Sequence, residues 1–234
     1  MFDSHRVLLL GATGLMGRTI IEQAVGHDSV SLVALARREI DLPAGARMEV
    51  VVADSASWTD AIASIRAQTV LCALGTTMRK SGFGQESFRA VDHDLVLDSA
   101  RAAQDAGADH FVAFSSVGAS AHAKNFYLKT KAEVEAALIK LRFRRLDILR
   151  PGLLRGRRQG DIRPLEKAAM VVSPMTDMFL QGDKERYRSI SAQDLARAAL
   201  RCASEKAGGK FIHHHPSLML QAGRFERESV PVEG

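Results

Sequence analysis

The feature that most constrains this chain is a glycine-rich stretch that begins where a short apolar run ends. The run Val7–Leu10 is followed by Gly11–Gly17, which reads GATGLMG. Gly11 allows a sharp turn, Gly14 allows the backbone to approach a phosphate group, and Gly17 allows a helix to pack closely. The order strand, glycine loop, helix also places amide donors and a favourable dipole at a helix N-terminus. The stretch therefore predicts that the chain binds a dinucleotide through Gly11, Thr13, Gly14, Leu15, Met16 and Gly17.

The spacing of these glycines is G-x-x-G-x-x-G, which is one residue longer in its first gap than the usual dinucleotide-binding pattern. A glycine pattern alone also fits an ordinary structural turn. The position of the loop directly after the first predicted strand favours the nucleotide interpretation.

Apolar runs and helix-like stretches alternate along the chain, which predicts an α/β fold with a doubly wound, mostly parallel sheet of the Rossmann type. The predicted strands are Arg6–Leu10, Ser31–Ala36, Met48–Val52, Thr69–Leu74, His110–Ser115, Leu146–Arg150 and Phe211–His214. The predicted helices are Leu15–Val25, Ser57–Ala67, Glu86–Ala106, Ala123–Leu141, Pro164–Leu180 and Ala192–Ser204, the last capped by Ser191. The polar residues after Gly223 are expected to be frayed.

Length and composition fit one globular domain that spans residues 1–234. The chain is 46% hydrophobic and 25% charged, without a linker, repeat or low-complexity stretch. We expect neither a membrane span, which needs roughly 20 apolar residues, nor a signal peptide at the N-terminus. Two cysteines, Cys72 and Cys202, give no disulfide framework, so a reducing cytoplasm is the expected location.

The net charge of +5 is unevenly distributed. Between Arg142 and Arg163 lie eight arginines and two aspartates, a local excess of +6. We interpret this segment first as a solvated basic surface. A positive rim that attracts an anionic small-molecule substrate is the alternative. Nucleic acid is disfavoured as a partner because the arginines lack the pattern of interleaved aromatics that stacks bases.

In an open α/β sheet the ligand binds at the carboxyl ends of the strands. The second predicted strand ends in Ala36-Arg37-Arg38, where an NAD-binding fold usually has an acidic residue for the ribose 2′-hydroxyl. Arginine accommodates a 2′-phosphate instead, and Arg37 can also stack on the adenine. We therefore expect Arg37 and Arg38 to select NADP, against the alternative of two solvated loop arginines.

Two further strand ends are weaker candidates for cofactor contacts. Asp54 follows the third strand, where it can accept a hydrogen bond from the adenine amino group or cap the next helix. Gly75 and Thr76 follow the fourth strand, where a glycine lets the backbone approach the cofactor ribose or simply forms a turn. All three residues are retained as candidate cofactor contacts.

The residues that can carry chemistry follow the fifth strand. Tyr127 and Lys131 are four apart in a predicted helix, so their side chains share one face. A phenol is a weak acid near neutrality, and a neighbouring ammonium stabilises its phenolate. Tyr127 is therefore the candidate that donates a proton to a carbonyl oxygen or removes one from an alcohol, while Lys131 also binds the cofactor ribose. A serine at the strand end orients the substrate oxygen, and Ser116 is preferred to Ser115.

These motifs resemble the short-chain dehydrogenase/reductases, which share the glycine loop, the Tyr-x-x-x-Lys pair and the preceding serine. More narrowly, the chain resembles the atypical branch that includes the Tat-interacting-protein oxidoreductase. The similar stretches, in the same order, are Gly11–Gly17, Cys72–Thr77, Phe114–Ala119, Tyr127–Glu135 and Leu149–Leu154. The resemblance implies that Pro151 lies near the nicotinamide carboxamide and that residues 152–223 form the substrate side. Asp92 lies near the position of a helix asparagine that is frequent in the family.

We therefore expect an NADP(H)-dependent oxidoreductase, monomeric or homodimeric, that reduces a carbonyl or oxidises an alcohol. A non-enzymatic NADP(H)-binding regulatory or interaction protein of the same fold is the alternative, and the intact set of Ser116, Tyr127 and Lys131 favours the enzyme. A sugar-nucleotide epimerase is disfavoured because the segment after Gly152 is short for a nucleotide-sugar domain. No metal site is expected, because the three histidines at 213–215 fall in a predicted strand, where adjacent side chains point to opposite faces.

Overall fold

The computed structural model describes residues 5–27, 30–76, 82, 84–155 and 182–228. Its strands are β1 (Arg6–Leu10), β2 (Ser31–Ala36), β3 (Glu49–Val52), β4 (Thr69–Cys72), β5 (His110–Phe114), β6 (Arg145–Leu149), β7 (Leu154–Arg155), β8 (Ile190–Ser191) and β9 (Gly209–His213). Seven of them form one sheet in the order β3-β2-β1-β4-β5-β6-β9, and every neighbouring pair is parallel. The short strands β7 and β8 form a separate parallel pair.

The helices connect these strands and cover both faces of the sheet. They are α1 (Leu15–Ala24), α2 (Trp58–Ile65), α3 (Gln85–Arg89), α4 (Leu95–Asp105), α5 (Phe126–Leu141), α6 (Ala192–Ser204) and α7 (His215–Glu228). A π-helical turn, Ala90–Asp94, joins α3 to α4, and short 3-10 helices lie at Ser55–Ser57 and Gly182–Tyr187. None of the helices in the described ranges is long and apolar enough to cross a membrane.

The five inner strands β2, β1, β4, β5 and β6 are buried on both faces, which explains why they read as continuous apolar runs rather than as alternating patterns. The edge strands β3 and β9 are more exposed. One layer of the core packs α2, α4 and α5 against the sheet. The other layer packs α1, α6 and α7 against the opposite face. The strand order turns back at β1, which lies between β2 and β4, and this is the point at which such sheets bind ligands.

The predicted doubly wound α/β fold is confirmed. Strands β1 and β2 have the predicted bounds, and Ser191 caps α6 as expected, its hydroxyl accepting from the Asp194 amide at 2.9 Å. The fourth and fifth strands end earlier than predicted, at Cys72 and Phe114, because the residues that follow leave the sheet to form loops. The long helix predicted at Glu86–Ala106 is interrupted by the π-helical turn.

The prediction of frayed residues after Gly223 was wrong for residues 224–228. They continue α7 to Glu228, because Phe225 is buried among the residues of the α1/α6/α7 layer. Residues 229–234 lie outside the described residues. The last strand begins at Gly209 rather than Phe211 and extends the sheet beside β6. The helix predicted at Pro164–Leu180 lies outside the described residues. A single domain over 1–234, with residues 152–223 on the substrate side, stays a prediction.

Candidate active site

The glycine loop connects β1 to α1 at the carboxyl edge of the sheet. Gly11 has a φ of +83°, and a Cβ atom there would lie 2.5 Å from the carbonyl oxygen of Ala73. At Gly17 a Cβ atom would overlap the carbonyl oxygen of Gly11 and lie 2.5 Å from the Cα of Ala12. Both positions therefore require glycine, and Gly17 does so because the first turn of α1 lies directly against the backbone of the loop.

The N-terminus of α1 is suited to an anionic group. Gly14 is exposed at the N-cap, no side chain caps the helix there, and the first turn contains no acidic residue. The N-cap residue therefore offers the first-turn amides no side-chain acceptor, and the helix dipole favours negative charge beside them. A dinucleotide diphosphate fits this end of the helix. The remaining candidates of the loop, all half-buried, are Thr13, Leu15 and Met16.

Three candidate cofactor contacts follow β2 and β3 at the same edge. Arg37 and Arg38 are both exposed directly after β2 ends at Ala36. Asp54 is exposed at the N-cap of the 3-10 helix after β3, and its side chain makes no capping hydrogen bond. The capping role considered for Asp54 is therefore absent, and its carboxylate faces solvent.

The loop after β4 lies beside the glycine loop. The Ala73 amide donates to the Leu10 carbonyl at 2.9 Å, which keeps the two strand ends paired. Gly75 is exposed, and the Thr76 amide donates to Oδ2 of Asp92 at 2.6 Å. Thr77 lies outside the described residues. The structure thus gives this loop a specific anchor, a buried carboxylate from the π-helical turn.

Tyr127 lies in the first turn of α5. The helix begins after Asn125, whose side chain accepts a hydrogen bond from the Leu128 amide at 3.3 Å. The Tyr127 ring is half-buried and meets the ring of Phe88 edge to face, with centroids 5.8 Å apart. Phe88 belongs to α3 and is fully buried, so α3 fixes the direction of the phenol.

Lys131 lies one turn further along α5, and its ammonium is buried. The Nζ atom is 2.9 Å from Oδ1 of Asp92 and 5.9 Å from the centroid of the Tyr127 ring. Burial by itself lowers the pKa of Lys131, but the acidic groups of Asp92 and Tyr127 outweigh it, so the pKa is raised above its ordinary value. The ammonium beside Tyr127 therefore stays charged at neutral pH.

The two serines after β5 have different partners. Ser115 is buried, and its hydroxyl donates to Oε1 of Glu135. Glu135 also accepts two hydrogen bonds from Arg150, one of them from Nε at 2.9 Å. The Ser116 hydroxyl is half-buried and donates to the carbonyl of Val117 at 3.2 Å. The geometry is compatible with the preference for Ser116, because the hydroxyl of Ser115 is engaged elsewhere.

Pro151 is joined to the serine loop through the backbone. The Val117 amide donates to the Pro151 carbonyl at 2.9 Å, so the loops after β5 and β6 lie side by side. Pro151 itself is buried. A Cβ atom at Gly152 would overlap the Arg188 carbonyl. The chain after β6 therefore lies directly against the segment before β8.

Sequence reasoning gave no role to two buried acids of this site. Asp92 was noted only for its position, since nothing in the sequence shows that it pairs with Lys131. Glu135 follows Lys131 by four residues and shares its helix face, which is the one signal that could have identified it. Its partners Ser115 and Arg150 come from two other strand ends and are recognisable only in three dimensions.

The described part of the Arg-rich segment is not simply a solvated surface. Arg144 pairs with Asp109 at 2.5 Å and Arg150 pairs with Glu135, while Arg145 is buried against Asp147 at 2.6 Å. These three charges are therefore compensated within the protein. The segment from 156 to 163 lies outside the described residues, and an anionic substrate stays a prediction.

A second polar cluster lies inside the sheet layer that α6 and α7 cover. Asp147 accepts from Nε2 of His213 at 2.7 Å, from Nε2 of His110 at 2.8 Å, and from Arg145. Burial alone raises the pKa of Asp147, but these donors outweigh it and hold its pKa well below the ordinary value. Cys202 brings a third ligand-type atom near Asp147 and His213, all within 4.8 Å of one another. Since both carboxylate oxygens already accept hydrogen bonds, we interpret the cluster as structural.

Comparison with known families places residues 11–206 within a family described as NAD(P)H-binding. The mitochondrial protein FMP52 of Candida albicans is 33% identical over 208 residues, which are 86% of this chain and 89% of that protein. The mitochondrial FMP52 of Eremothecium gossypii is 40% identical over 154 residues, which are 65% of this chain and 67% of its length.

Solved structures show the same fold. A putative NAD-dependent epimerase/dehydratase from Bacillus halodurans superposes with a TM-score of 0.68 at 20% identity, covering 94% of this chain and 99% of that one. MoeE5, solved with UDP-glucose and NAD, superposes with a TM-score of 0.65 at 20% identity, covering 88% and 74% of the two chains. At these identities the likeness concerns the fold alone.

The expected cytoplasmic location was wrong. The FMP52 relatives are named as mitochondrial proteins, which points away from the cytoplasm. The expectation rested on two unpaired cysteines, Cys72 and Cys202, and both are buried. Burial protects a thiol in any compartment, so the number of cysteines does not identify the compartment.

Proposed function

We propose a function for this chain from one premise: it belongs to the NAD(P)H-binding family of Rossmann-fold oxidoreductases. Within that family, we infer an NADP(H)-dependent oxidoreductase of the short-chain dehydrogenase/reductase type, which reduces a carbonyl or oxidises an alcohol. The observation that carries the proposal is the pairing of Tyr127 with the buried ammonium of Lys131, 5.9 Å from its ring. This pair follows β5 at the sheet edge that also carries the glycine loop.

The chemistry follows from these side chains. When bound, the cofactor supplies or accepts a hydride at the substrate carbon. In the reductive direction Tyr127 donates its phenolic proton to the carbonyl oxygen, and in the oxidative direction it removes the proton of the alcohol. Lys131 stabilises the phenolate that remains after donation and binds the cofactor ribose. Ser116 orients the substrate oxygen.

The proposed NADP preference rests on Arg37 and Arg38, which are exposed directly after β2. A guanidinium pairs with a 2′-phosphate in a bidentate manner, whereas the ribose hydroxyl of NAD offers no charge to neutralise. Arg37→Ala should weaken NADPH binding by about tenfold or more, since each 1.4 kcal/mol is a factor of ten, and leave NADH binding nearly unchanged. The dissociation constants of NADPH and NADH are measured by titrating each cofactor and following tryptophan or cofactor fluorescence.

The matched control for that substitution is Arg47→Ala, an exposed arginine that precedes β3 at the opposite edge of the sheet. It should leave both binding constants unchanged. Equal losses for NADPH and NADH in Arg37→Ala would contradict the proposed selection of NADP.

The ordered motif stretches support a place in the atypical branch that includes the Tat-interacting-protein oxidoreductase. We further propose that residues 152–223 form the substrate side, because Gly152 and the segment at Arg188 lie together beyond the end of β6. A small-molecule substrate, and a monomeric or homodimeric state, complete the proposal. The names of the FMP52 relatives favour a mitochondrial setting.

The test of the proposed activity is Tyr127→Phe. Removal of the phenolic oxygen eliminates proton transfer but keeps the ring against Phe88, so turnover should fall by about 100-fold or more while NADPH binding changes little. Consumption of NADPH with a panel of small aldehydes and ketones measures turnover. Ser64→Ala is the matched control, because it removes an exposed hydroxyl from α2, outside the proposed site.

Full turnover in Tyr127→Phe would exclude the proposed acid–base role. A wild-type protein that binds NADPH tightly yet reduces none of the panel would favour the non-enzymatic alternative, a regulatory or interaction protein of the same fold.

A further inference from the structure

We propose that Asp92 is a positioning residue of this site: it fixes the Lys131 ammonium beside Tyr127 and anchors the backbone at Thr76. The proposal rests on the proposed function, because Asp92 acts on the reaction through Lys131. It also joins two parts of the site that are distant in sequence, the loop after β4 and the helix that carries Tyr127.

The contacts of Asp92 use both of its oxygen atoms. Oδ1 lies 2.9 Å from Nζ of Lys131, and Oδ2 accepts from the Thr76 amide at 2.6 Å. The side chain of Asp92 is 1% exposed and that of Lys131 is 7% exposed. The ion pair is therefore shielded from water. Charges attract each other more strongly in the protein interior than on its surface.

Both partners of Asp92 are donors, which explains why a carboxylate is needed. An ammonium and a backbone amide have no acceptor to offer, and an ionised carboxylate has two acceptor oxygens. Asparagine has one acceptor oxygen and one NH₂ group, so it would point a donor at a donor on one side. Asp92 lies near the position of the family's frequent helix asparagine, and an aspartate suits its two donor partners better than an asparagine would.

The π-helical turn determines where this carboxylate lies. Asp92 is in the middle of Ala90–Asp94, between α3 and α4, and is the buried residue of that turn. The side chains of its neighbours His93 and Asp94 pair with each other at 2.6 Å, with Asp94 largely exposed. The wide turn therefore presents Asp92 to the interior and Asp94 to solvent, and π turns commonly mark functional sites.

The titratable groups that face the Lys131 ammonium come from three elements. Asp92 faces it from the π-helical turn, Tyr127 from its own helix, and Cys72 from β4. Burial opposes the charged form of Lys131, and Asp92 is the largest influence that restores it. If the carboxylate is replaced by an amide, burial acts with less opposition and the pKa of Lys131 falls. The ammonium also loses the contact at 2.9 Å that holds it beside Tyr127.

The first experiment measures Lys131 without requiring turnover. Lysine labelled with ¹³C at Cε is titrated by NMR in the full-length protein, and the Lys131 signal is assigned by its loss in Lys131→Met. In the wild type it should titrate above the ordinary value of about 10.4. In Asp92→Asn it should titrate at least about one unit below the wild type. Asp94→Asn, the exposed neighbour on the same turn, should match the wild type.

The second experiment measures kcat and KM for alcohol oxidation at neutral pH. In Asp92→Asn, kcat should fall by about tenfold while KM changes by less than about twofold, because the Lys131 ammonium is no longer fixed beside Tyr127. Asp94→Asn should keep both wild-type constants. In a Lys131→Met background, Asp92→Asn should change kcat by less than about twofold, because its effect on the chemical step is transmitted through Lys131.

Three results would overturn the role of Asp92. They are a wild-type Lys131 that titrates at or below the value of free lysine, an unchanged titration in Asp92→Asn, and an additive loss in the double variant. The wild-type titration decides even if Asp92→Asn does not fold. A wild type without turnover but with the expected Lys131 titration would reject the proposed activity and keep Asp92 as the group that holds Lys131.

Discussion

Gly17 shows how one missing methyl group sets the position of a helix. A Cβ atom there would overlap the carbonyl of Gly11 and lie 2.5 Å from the Cα of Ala12. Both are backbone atoms that cannot move aside like the end of a flexible side chain. At Gly14 the nearest atom to a Cβ would be the Gly11 carbonyl oxygen at 3.3 Å, and the outer side is exposed. The two glycines therefore serve different purposes.

We predict that alanine mainly lowers stability at Gly17 and mainly weakens cofactor binding at Gly14. Gly17→Ala should lower the free energy of unfolding by about 1–3 kcal/mol, because the added methyl forces α1 away from the loop. Gly14→Ala should change stability by less than about 1 kcal/mol but weaken NADPH binding, because its methyl lies where phosphate approaches. Urea denaturation and NADPH titration measure the two quantities. Equal destabilisation by both substitutions, or an unchanged NADPH affinity in Gly14→Ala, would refute this division of roles.

At the level of residues, the sequence predicts well what depends on local spacing. The relation of Tyr127 to Lys131 needs only the helical repeat, and the structure keeps both on one side of α5. The partner of Lys131 could not be predicted, because Asp92 is 39 positions away (131 minus 92) and reaches it only through tertiary packing. Burial of charge depends on which elements meet, and no single sequence window contains that information.

The helix α5 organises the site as one element. Tyr127, Lys131 and Glu135 follow one another at intervals of four residues, so one face of the helix carries all three. Glu135 binds Ser115 after β5 and Arg150 after β6. The helix is thus attached to two strand ends, which keeps the serine loop and the phenol in a fixed relation.

The interruption of the helix between α3 and α4 is the element that the sequence did not reveal. The stretch Ala90–Asp94 contains neither glycine nor proline, and the pattern predicts one continuous helix over Glu86–Ala106. Contacts from other parts of the chain meet the turn: the Lys131 ammonium and the Thr76 amide both pair with the carboxylate of Asp92. Local propensity cannot report a deformation whose stabilising contacts come from other parts of the chain.

The molecule as a whole carries a polar core cluster in addition to its active edge, and strands β4, β5 and β6 contribute to both. The cluster is centred on Asp147 and extends through His110 to Thr69 and His5, and through His213 to Ser217. Because a carboxylate only accepts, we infer that both histidines carry hydrogen on Nε2. Burial outweighs the neighbouring carboxylate and lowers the pKa of His110. The cluster joins strands β4, β5, β6 and β9 to the helix α7.

This cluster predicts a loss of stability in acid. His110 has a lower pKa folded than unfolded, so its contribution is complete above about pH 6.5 and declines as the pH falls below that value. Asp147 also has a lowered pKa, and its contribution declines as the pH falls below about 4. The free energy of unfolding, measured with urea at pH 8 and pH 5, should therefore be smaller at pH 5.

His110→Gln should reduce the difference between pH 8 and pH 5, because it removes a buried group whose pKa is lowered from a value within this window. His122→Gln is the control, since His122 is exposed in the loop before α5. A free energy of unfolding that stays constant between these pH values in the wild type would show that His110 does not carry the proposed linkage.

The two cysteines lie on opposite sides of the sheet, Cys72 in the layer of α2, α4 and α5 and Cys202 in the layer of α1, α6 and α7. Burial raises the pKa of the Cys72 thiol to about 11 and that of Cys202 well above its ordinary value. Because the thiolate is the reactive form, the closed protein presents almost no reactive sulfur to an alkylating reagent. Each sulfur reacts only when its own layer opens. The chain therefore carries a native chemical reporter for each face of its sheet, and the order in which the two sulfurs are labelled would show which layer loosens first.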